Sequence, residues 1–316
     1  MAITTPKYIA ELEPYEGGRP IKEVSRELGI PPHKIVKLAS NENPLGVSAK
    51  AKLAIDESAN ETHRYPDGNG YYLKLALCNK FSLNSDQIIL GNGSNDVLEL
   101  AARTFISPGE EVIYSKHAFA VYEIVTNAAG GIGIKAKPLE DFGHNLDEFL
   151  KQISEKTKLI FIANPNNPTG NLIEKSKISA FLSKVPKHIL VVLDEAYDEY
   201  LRDEDKSIAF NWLAEYKNLL ISRSFSKAHG LAGLRIGYGV GSKKVINLMN
   251  RVRQPFNVNS IAQTAAIASL DDDVFIIKSR LINDQGRLQL EEVFYKLKIE
   301  YIPSYGNFIS FNLGDE

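Results

Sequence analysis

Short apolar runs rich in Val, Ile and Leu recur through the middle of the chain. They are QIILG (87–91), EVIYS (111–115), GIKAKPL (133–139), KLIFIA (158–163), ILVVLD (189–194), NLLIS (218–222) and RIGYGV (235–240). Several are apolar almost without a break, as strands buried on both faces must be. Between them, apolar residues recur at helical spacing in SNDVLELAARTF (94–105), FAVYEIVTNAA (119–129) and EKSKISAFLSKV (174–185). Alternating strands and helices predict an α/β fold with a mostly parallel sheet. Such sheets bind ligands beyond the carboxyl ends of their strands.

The two ends have a different pattern. Residues 1–46 are rich in Pro and Gly and read as irregular. After residue 260 a long helical pattern leads to YIPSYGNFISFNL (301–313), which reads as a strand. The ends are expected to meet as a second, smaller unit. The expected division is an N-terminal arm with part of the small domain (1–46), a large domain (47–255) and the rest of the small domain (256–316).

Composition narrows the function classes. The net charge of −2 over 316 residues gives no electrostatic case for nucleic acid or an anionic membrane. No apolar run approaches the roughly 20 residues of a membrane span, and the first residues lack the basic start and apolar core of a signal peptide. The single cysteine, Cys78, rules out an intrachain disulfide and suits a cytoplasmic setting. The six histidines are scattered, so no metal site is expected.

Four segments carry candidate chemistry. In ILGNGSNDVLELAAR (89–103) a strand runs through a glycine turn into a helix that starts near Ser94. The free N–H groups and dipole of a helix start suit a phosphate, although a plain capped turn would read the same way. In FIANPNNPTGNL (161–172), Pro165 and Pro168 stiffen a turn that offers the amides of Asn164, Asn166 and Asn167. In ILVVLDEAYDEY (189–200), Asp194 ends an apolar strand, where a carboxylate needs a partner such as a cationic ring nitrogen. In SRSFSKAHGLAGLR (222–235), Lys227 follows a strand, with Ser224, Ser226 and Arg235 close in sequence. The serines and the arginine suit an anion. Neighbouring cations disfavour an ammonium and so favour a nucleophilic amine, which can condense with an aldehyde cofactor. A phosphate site, an acid for a pyridinium nitrogen and a reactive lysine are together what pyridoxal phosphate requires.

Seven segments in order, LASNENPLG (38–46), RYPDGNGYYLKLAL (64–77), GNGSND (91–96), NPNNPTG (164–170), DEAYDEY (194–200), SFSKAHGLAGLRIGY (224–238) and SYGNF (304–308), resemble the fold-type-I aminotransferases that use pyridoxal 5′-phosphate. NENPLG and YPDGNG resemble the histidinol-phosphate branch of that family. The resemblance implies a three-layer α/β/α large domain with about seven strands, a small α+β domain, and a homodimer. It implies amino transfer from L-histidinol phosphate to 2-oxoglutarate in histidine biosynthesis. Lys227 would bond the cofactor and move the proton. Asp194 would pair with its ring nitrogen, Tyr197 and Asn167 would bond its phenolic oxygen, and Phe119 would stack on its ring. Ser94, Asn95, Ser224, Ser226 and Arg235 would hold its phosphate, together with Tyr65 of a neighbouring subunit. Tyr15 and Asn43 would line the substrate site. The family pattern also continues for several dozen residues beyond NF and carries a further arginine for substrate. No arginine follows Arg287 here, so the resemblance implies a C-terminally shortened chain.

Three alternatives stand beside this reading. An aromatic aminotransferase or a threonine-phosphate decarboxylase would share the same cofactor residues. A shortened chain that binds the cofactor with little turnover is another. A dinucleotide-binding oxidoreductase is suggested by GIGIKA (131–136), which matches G-x-G-x-x-A but lies in a strand-like run instead of a strand-to-helix turn.

Overall fold

The computed structural model describes residues 3–15 and 17–314. Seven strands form one sheet: β1 (Ile88–Gly91), β2 (Glu111–Ser115), β3 (Ile132–Ala136), β4 (Thr157–Ala163), β5 (Leu190–Asp194), β6 (Leu219–Ser224) and β7 (Gly237–Gly241). Their order is β1-β7-β6-β5-β4-β2-β3. Only β7 runs against its neighbours, β1 and β6, and all other pairs are parallel.

The unbroken apolar runs have a direct cause. Ile160 and Ile162 of β4 enter the core on one face of the sheet, while Leu159 and Phe161 enter the core on the other. Successive strand residues point to opposite faces, so a sheet covered on both sides needs apolar residues at every position. Helices Ala49–Ser58, Tyr71–Phe81, Lys175–Lys184 and Ser260–Leu270 contribute to the first core, and Ser94–Phe105, Val121–Ala128 and Lys243–Met249 to the second. The result is three layers, helix on sheet on helix.

Several elements differ from the sequence pattern. β3 stops at Ala136, short of Pro138, which lacks the N–H a ladder requires. β6 runs on to Ser224 because Arg223 and Ser224 still pair with Tyr238 and Gly237. The long helical pattern after residue 260 is broken into Ser260–Leu270 and Asp273–Leu297, where the Asp272 side chain caps the second helix by accepting from the Phe275 N–H. A helix, Ile21–Leu28, lies in the stretch that reads as irregular. Pro20 precedes it and Gly29 ends it in the left-handed conformation.

The expected strand over 301–313 is not formed. Its only bridge among the described residues is Tyr301 to Phe311. Beside it the Ile302 N–H donates to the Ser310 carbonyl (2.9 Å), but between these arms the Tyr305 N–H donates to the Gly170 carbonyl (2.8 Å) and Asn307 Nδ2 to the Asn41 carbonyl (2.9 Å). Among the described residues no helix is long and apolar enough to cross a membrane.

Candidate active site

Because β7 is reversed, its first residue lies at the same sheet edge as the last residues of its neighbours. Gly237 pairs with both Gly91 of β1 and Ser224 of β6, and Asp194 of β5 pairs with Ala163 of β4 and Ser222 of β6. A cavity of about 590 Å³ opens at this edge. Ser94, Asn95, Phe119, Asn167, Asp194, Tyr197, Ser224, Ser226, Lys227, Arg235 and Tyr15 all line it.

Strand alternation determines which side chains reach the cavity. Asp194 and Ser224 face it. Their neighbours Glu195 and Arg223 turn away and pair with each other in the interior. The Asp194 carboxylate is buried and accepts at Oδ2 from the Tyr122 hydroxyl (2.9 Å), whereas its Oδ1 has no hydrogen-bond partner among the described residues. The Ala196 N–H faces the same carboxylate without meeting hydrogen-bond geometry. Burial pushes Asp194 up to about 6, against the pull of the Tyr122 hydrogen bond.

Three asparagines follow β4, with cis peptide bonds at Asn164-Pro165 and Asn167-Pro168. Two of them hold the turn. Asn164 exchanges hydrogen bonds with the Ile173 backbone, and Asn166 Nδ2 donates to the His117 carbonyl and Thr169 Oγ1. Asn167 Nδ2 instead donates to the Tyr197 hydroxyl (3.0 Å), which also accepts from Asn41 Nδ2 (3.2 Å). Burial pushes the Tyr197 phenol up to about 12.

Lys227 Nζ donates to the Ser40 carbonyl (3.0 Å) and lies 5.6 Å from the centre of the Tyr197 ring. Its ammonium is pushed down to about 8. Burial is the larger cause. Glu42 opposes it, and the Arg235 charge lowers the value further.

The opposite corner suits an anion. Arg235 Nη1 donates to the Ala232 carbonyl (3.1 Å) and reaches Ser226 Oγ at 3.4 Å. The guanidinium lies against Gly93, at the start of the Ser94–Phe105 helix. A Cβ on Gly93 would sit 2.2 Å from Arg235 Nη2, and the residue has φ +84°. Glycine is therefore required by both the backbone and the close approach. Ser224 Oγ already accepts from the Ser226 N–H (3.0 Å), so it shapes the turn as well as lining the cavity.

Two expected site residues lie elsewhere. Asn43 requires correction, because its side chain is fully used in the interior. Nδ2 donates to the Ala228 carbonyl and Ser279 Oγ (both 2.9 Å), and Oδ1 accepts from the Leu45 N–H. Asn41, two residues earlier, lines the cavity in its place. Tyr65 lies outside the cavity, 83% exposed and stacked on Phe256 at 4.8 Å. The sequence reading also missed Tyr122. It falls one helical turn after Phe119, which is the only signal for it. Finally, the GIGIKA match lies on β3 and the residue before it, so it is no strand-to-helix turn.

Comparison with known proteins gives the family. Residues 33–316 match the family model for aminotransferase class I and II. The histidinol-phosphate aminotransferase of Methylobacillus flagellatus is 58% identical over 98% of this chain and 83% of its own length. Histidinol-phosphate aminotransferase 2 of Nitrosospira multiformis is 52% identical over 98% of this chain and 78% of its own. The crystal structure of histidinol-phosphate aminotransferase from Sinorhizobium meliloti, in complex with pyridoxal-5′-phosphate, superposes with a TM-score of 0.89 at 26% identity, covering 98% of this chain and 83% of that one. The chain belongs to the class I and II aminotransferases and, within them, to the histidinol-phosphate aminotransferases.

Proposed function

We propose that the chain transfers the amino group of L-histidinol phosphate to 2-oxoglutarate, giving imidazole acetol phosphate and glutamate, with pyridoxal 5′-phosphate as cofactor. The observation that carries this reading is the unpartnered, buried Oδ1 of Asp194 in the same cavity as the Lys227 amine. A buried carboxylate oxygen needs a donor, and a protonated ring nitrogen is one. The Gly93 cradle beneath Arg235 and the start of the Ser94–Phe105 helix suit the phosphate. Both features fit the cofactor.

Bound there, the cofactor supplies an electron sink for the charge left when a substrate carbon loses a proton. The residues of the chain do the rest. Asp194 holds the ring nitrogen protonated. Tyr197, fixed by Asn167 and Asn41, donates to the phenolic oxygen. Phe119 covers one ring face. Ser94, Asn95, Ser224, Ser226 and Arg235 hold the phosphate. Lys227 Nζ, its ammonium pushed down by burial, takes the proton from the substrate Cα as general base and returns it as general acid. Tyr15, at the cavity rim, contacts substrate.

The exposed Tyr65–Phe256 stack supports a homodimer in which Tyr65 enters the neighbouring subunit's phosphate site. The single cysteine, Cys78, and the small soluble substrates support a cytoplasmic setting. Borohydride reduction of the protein with pyridoxal phosphate, followed by peptide mass spectrometry, is expected to find the pyridoxyl group on Lys227. Steady-state assays are expected to show amino transfer from histidinol phosphate with ping-pong kinetics. Preference for an aromatic amino acid, or carbon dioxide release from threonine phosphate, would replace the substrate assignment and leave the cofactor assignment standing.

A further inference from the structure

We propose that Tyr122 is a positioning residue for the cofactor's ring nitrogen: its hydroxyl fixes Asp194 by one oxygen and leaves the other free to receive the ring N–H. The inference rests on the cofactor reading above and goes beyond it, because Tyr122 touches neither cofactor nor substrate in that reading.

Three observations carry it. The Tyr122 hydroxyl donates to Asp194 Oδ2 at 2.9 Å, and the Tyr122 side chain is fully buried. Oδ1 of the same carboxylate is equally buried and has no hydrogen-bond partner among the described residues. The Tyr122 ring is held from both sides: it stacks on Phe161 of β4 (4.8 Å between centres, planes 5° apart), and Phe119 meets it edge-on at 6.0 Å. The hydroxyl is thus delivered by a ring with little freedom to turn. A carboxylate at the end of β5 without this bond could rotate, and either oxygen, or neither, would face the ring nitrogen.

The bond also sets the charge of Asp194. Tyr122, from Val121–Ala128, the Ala196 N–H, just after β5, and Lys227, beyond β6, act on this carboxylate, and all three favour its ionised form. Tyr197, on the turn after β5, is the third titratable group near it. The end of β4 presents Ala163 and Asn164, which do not titrate. Burial works against all of these. Tyr122 is neutral, donates the one side-chain hydrogen bond to this carboxylate among the described residues, and stays protonated because burial and Asp194 push its own phenol well up. Removing the hydroxyl raises the pH at which Asp194 gains a proton. Once protonated, Asp194 no longer supports a protonated ring nitrogen.

The test compares three full-length proteins: wild type, Tyr122→Phe and Phe161→Leu. Tyr122→Phe keeps the ring and removes one oxygen. Phe161→Leu disturbs the packing of that ring and keeps the hydroxyl. For each, pyridoxal phosphate affinity is titrated from pH 5 to 9, with the thermal midpoint of the cofactor-free protein measured alongside. Affinity falls on the acid side as Asp194 protonates. The cofactor phosphate and the Lys227 ammonium also titrate in this range, but alike in all three proteins, so the difference between them reports on Asp194. For Tyr122→Phe the acid limb is expected to move up by about one pH unit, weakening affinity about five-fold at pH 6 while leaving it nearly unchanged at pH 8.5. Phe161→Leu is expected to lower the thermal midpoint and leave the limb in place. An unmoved limb in Tyr122→Phe, or an equal movement in both variants, overturns the inference while the cofactor reading stands. Failure of the wild type to take up the cofactor at Lys227 overturns that reading, and the inference with it.

Discussion

Arg223 and Glu195 form a buried two-pronged ion pair, with Nε and Nη2 of the guanidinium 3.0 and 2.8 Å from Glu195 Oε2. The pair joins the residue after β5 to β6, directly behind Asp194 and Ser224. Asp198 Oδ2 lies 3.0 Å from the same Nη2, and the rings of Phe210 and Phe81 pack on the guanidinium. Glu199 is a third acid close enough to act on it. Burial pushes Glu195 up, against the pull of Arg223. Three acids around one cation make the cluster asymmetric. Arg223→Met strands two or three buried carboxyl groups and is expected to destabilise the protein by about 3–5 kcal/mol. Glu195→Gln leaves Arg223 with two acids and is expected to cost clearly less. Denaturant unfolding of the cofactor-free proteins measures both, and equal costs would count against a charge-balanced cluster.

The Lys227 amine has its own pH signature. The neutral amine is the form that attacks an aldehyde. Its ammonium is pushed down to about 8, so the reactive form is the minority below that pH and the majority above it. The initial rate of cofactor capture by cofactor-free protein, trapped with borohydride at timed intervals, is expected to rise through about pH 8 and then level. Lys227→Arg is expected to trap nothing. A rate still climbing at pH 10 would mean that burial does not act on this amine as its surroundings indicate.

The sheet is legible in the sequence because a strand covered on both faces, such as β4 or β5, shows a nearly unbroken apolar run, and the less apolar runs, such as the partly exposed edge strand β3, also belong to strands. That the site residues share one cavity follows from the same pattern: Asp194, Ser224 and Asn167 sit at or just beyond the carboxyl ends of such runs. Three features are not legible, each for a different physical reason. Asn43 and Asn41 are chemically the same, and only the tertiary contacts of Ala228 and Ser279 decide which amide is used inside. Tyr122 reads as an ordinary apolar position of a helix, because a hydroxyl's partner across 72 residues leaves no local trace. The 301–313 segment has strand composition, but it folds back on itself, with Ile302 bonded to Ser310, and its middle is tied to Gly170 through the Tyr305 N–H, so it never runs straight as one strand.

Gly93 and Arg235 depend on each other. With φ +84° and the guanidinium where a Cβ would be, Gly93→Ala must displace either the turn or Arg235. Its expected effect is a loss of cofactor affinity of about ten- to a hundred-fold, the range of one or two charge-assisted hydrogen bonds. Arg235→Lys keeps the charge but loses the planar fork, and is expected to fall between wild type and Gly93→Ala. Fluorescence titration with pyridoxal phosphate ranks the three. Gly93→Ala binding like wild type would remove this corner from the phosphate site.

If Tyr65 completes the neighbouring subunit's phosphate site, the two halves of one site can be separated genetically. Lys227→Ala removes the amine from its own subunit, and Tyr65→Ala removes the phosphate contact from the opposite one. Each homodimer then has two defective sites. A mixed dimer concentrates both defects in one site and leaves the other with its own Lys227 and its partner's Tyr65. Denaturing and refolding an equal mixture gives mixed dimers in about half the population, so about a quarter of all sites are expected to be intact. The readout is amino transfer at a cofactor concentration that saturates wild type but not Tyr65→Ala. Activity near a quarter of wild type, above the average of the two variants assayed separately, is the expected result. A mixture that only averages its components would place Tyr65 in a purely surface role beside Phe256.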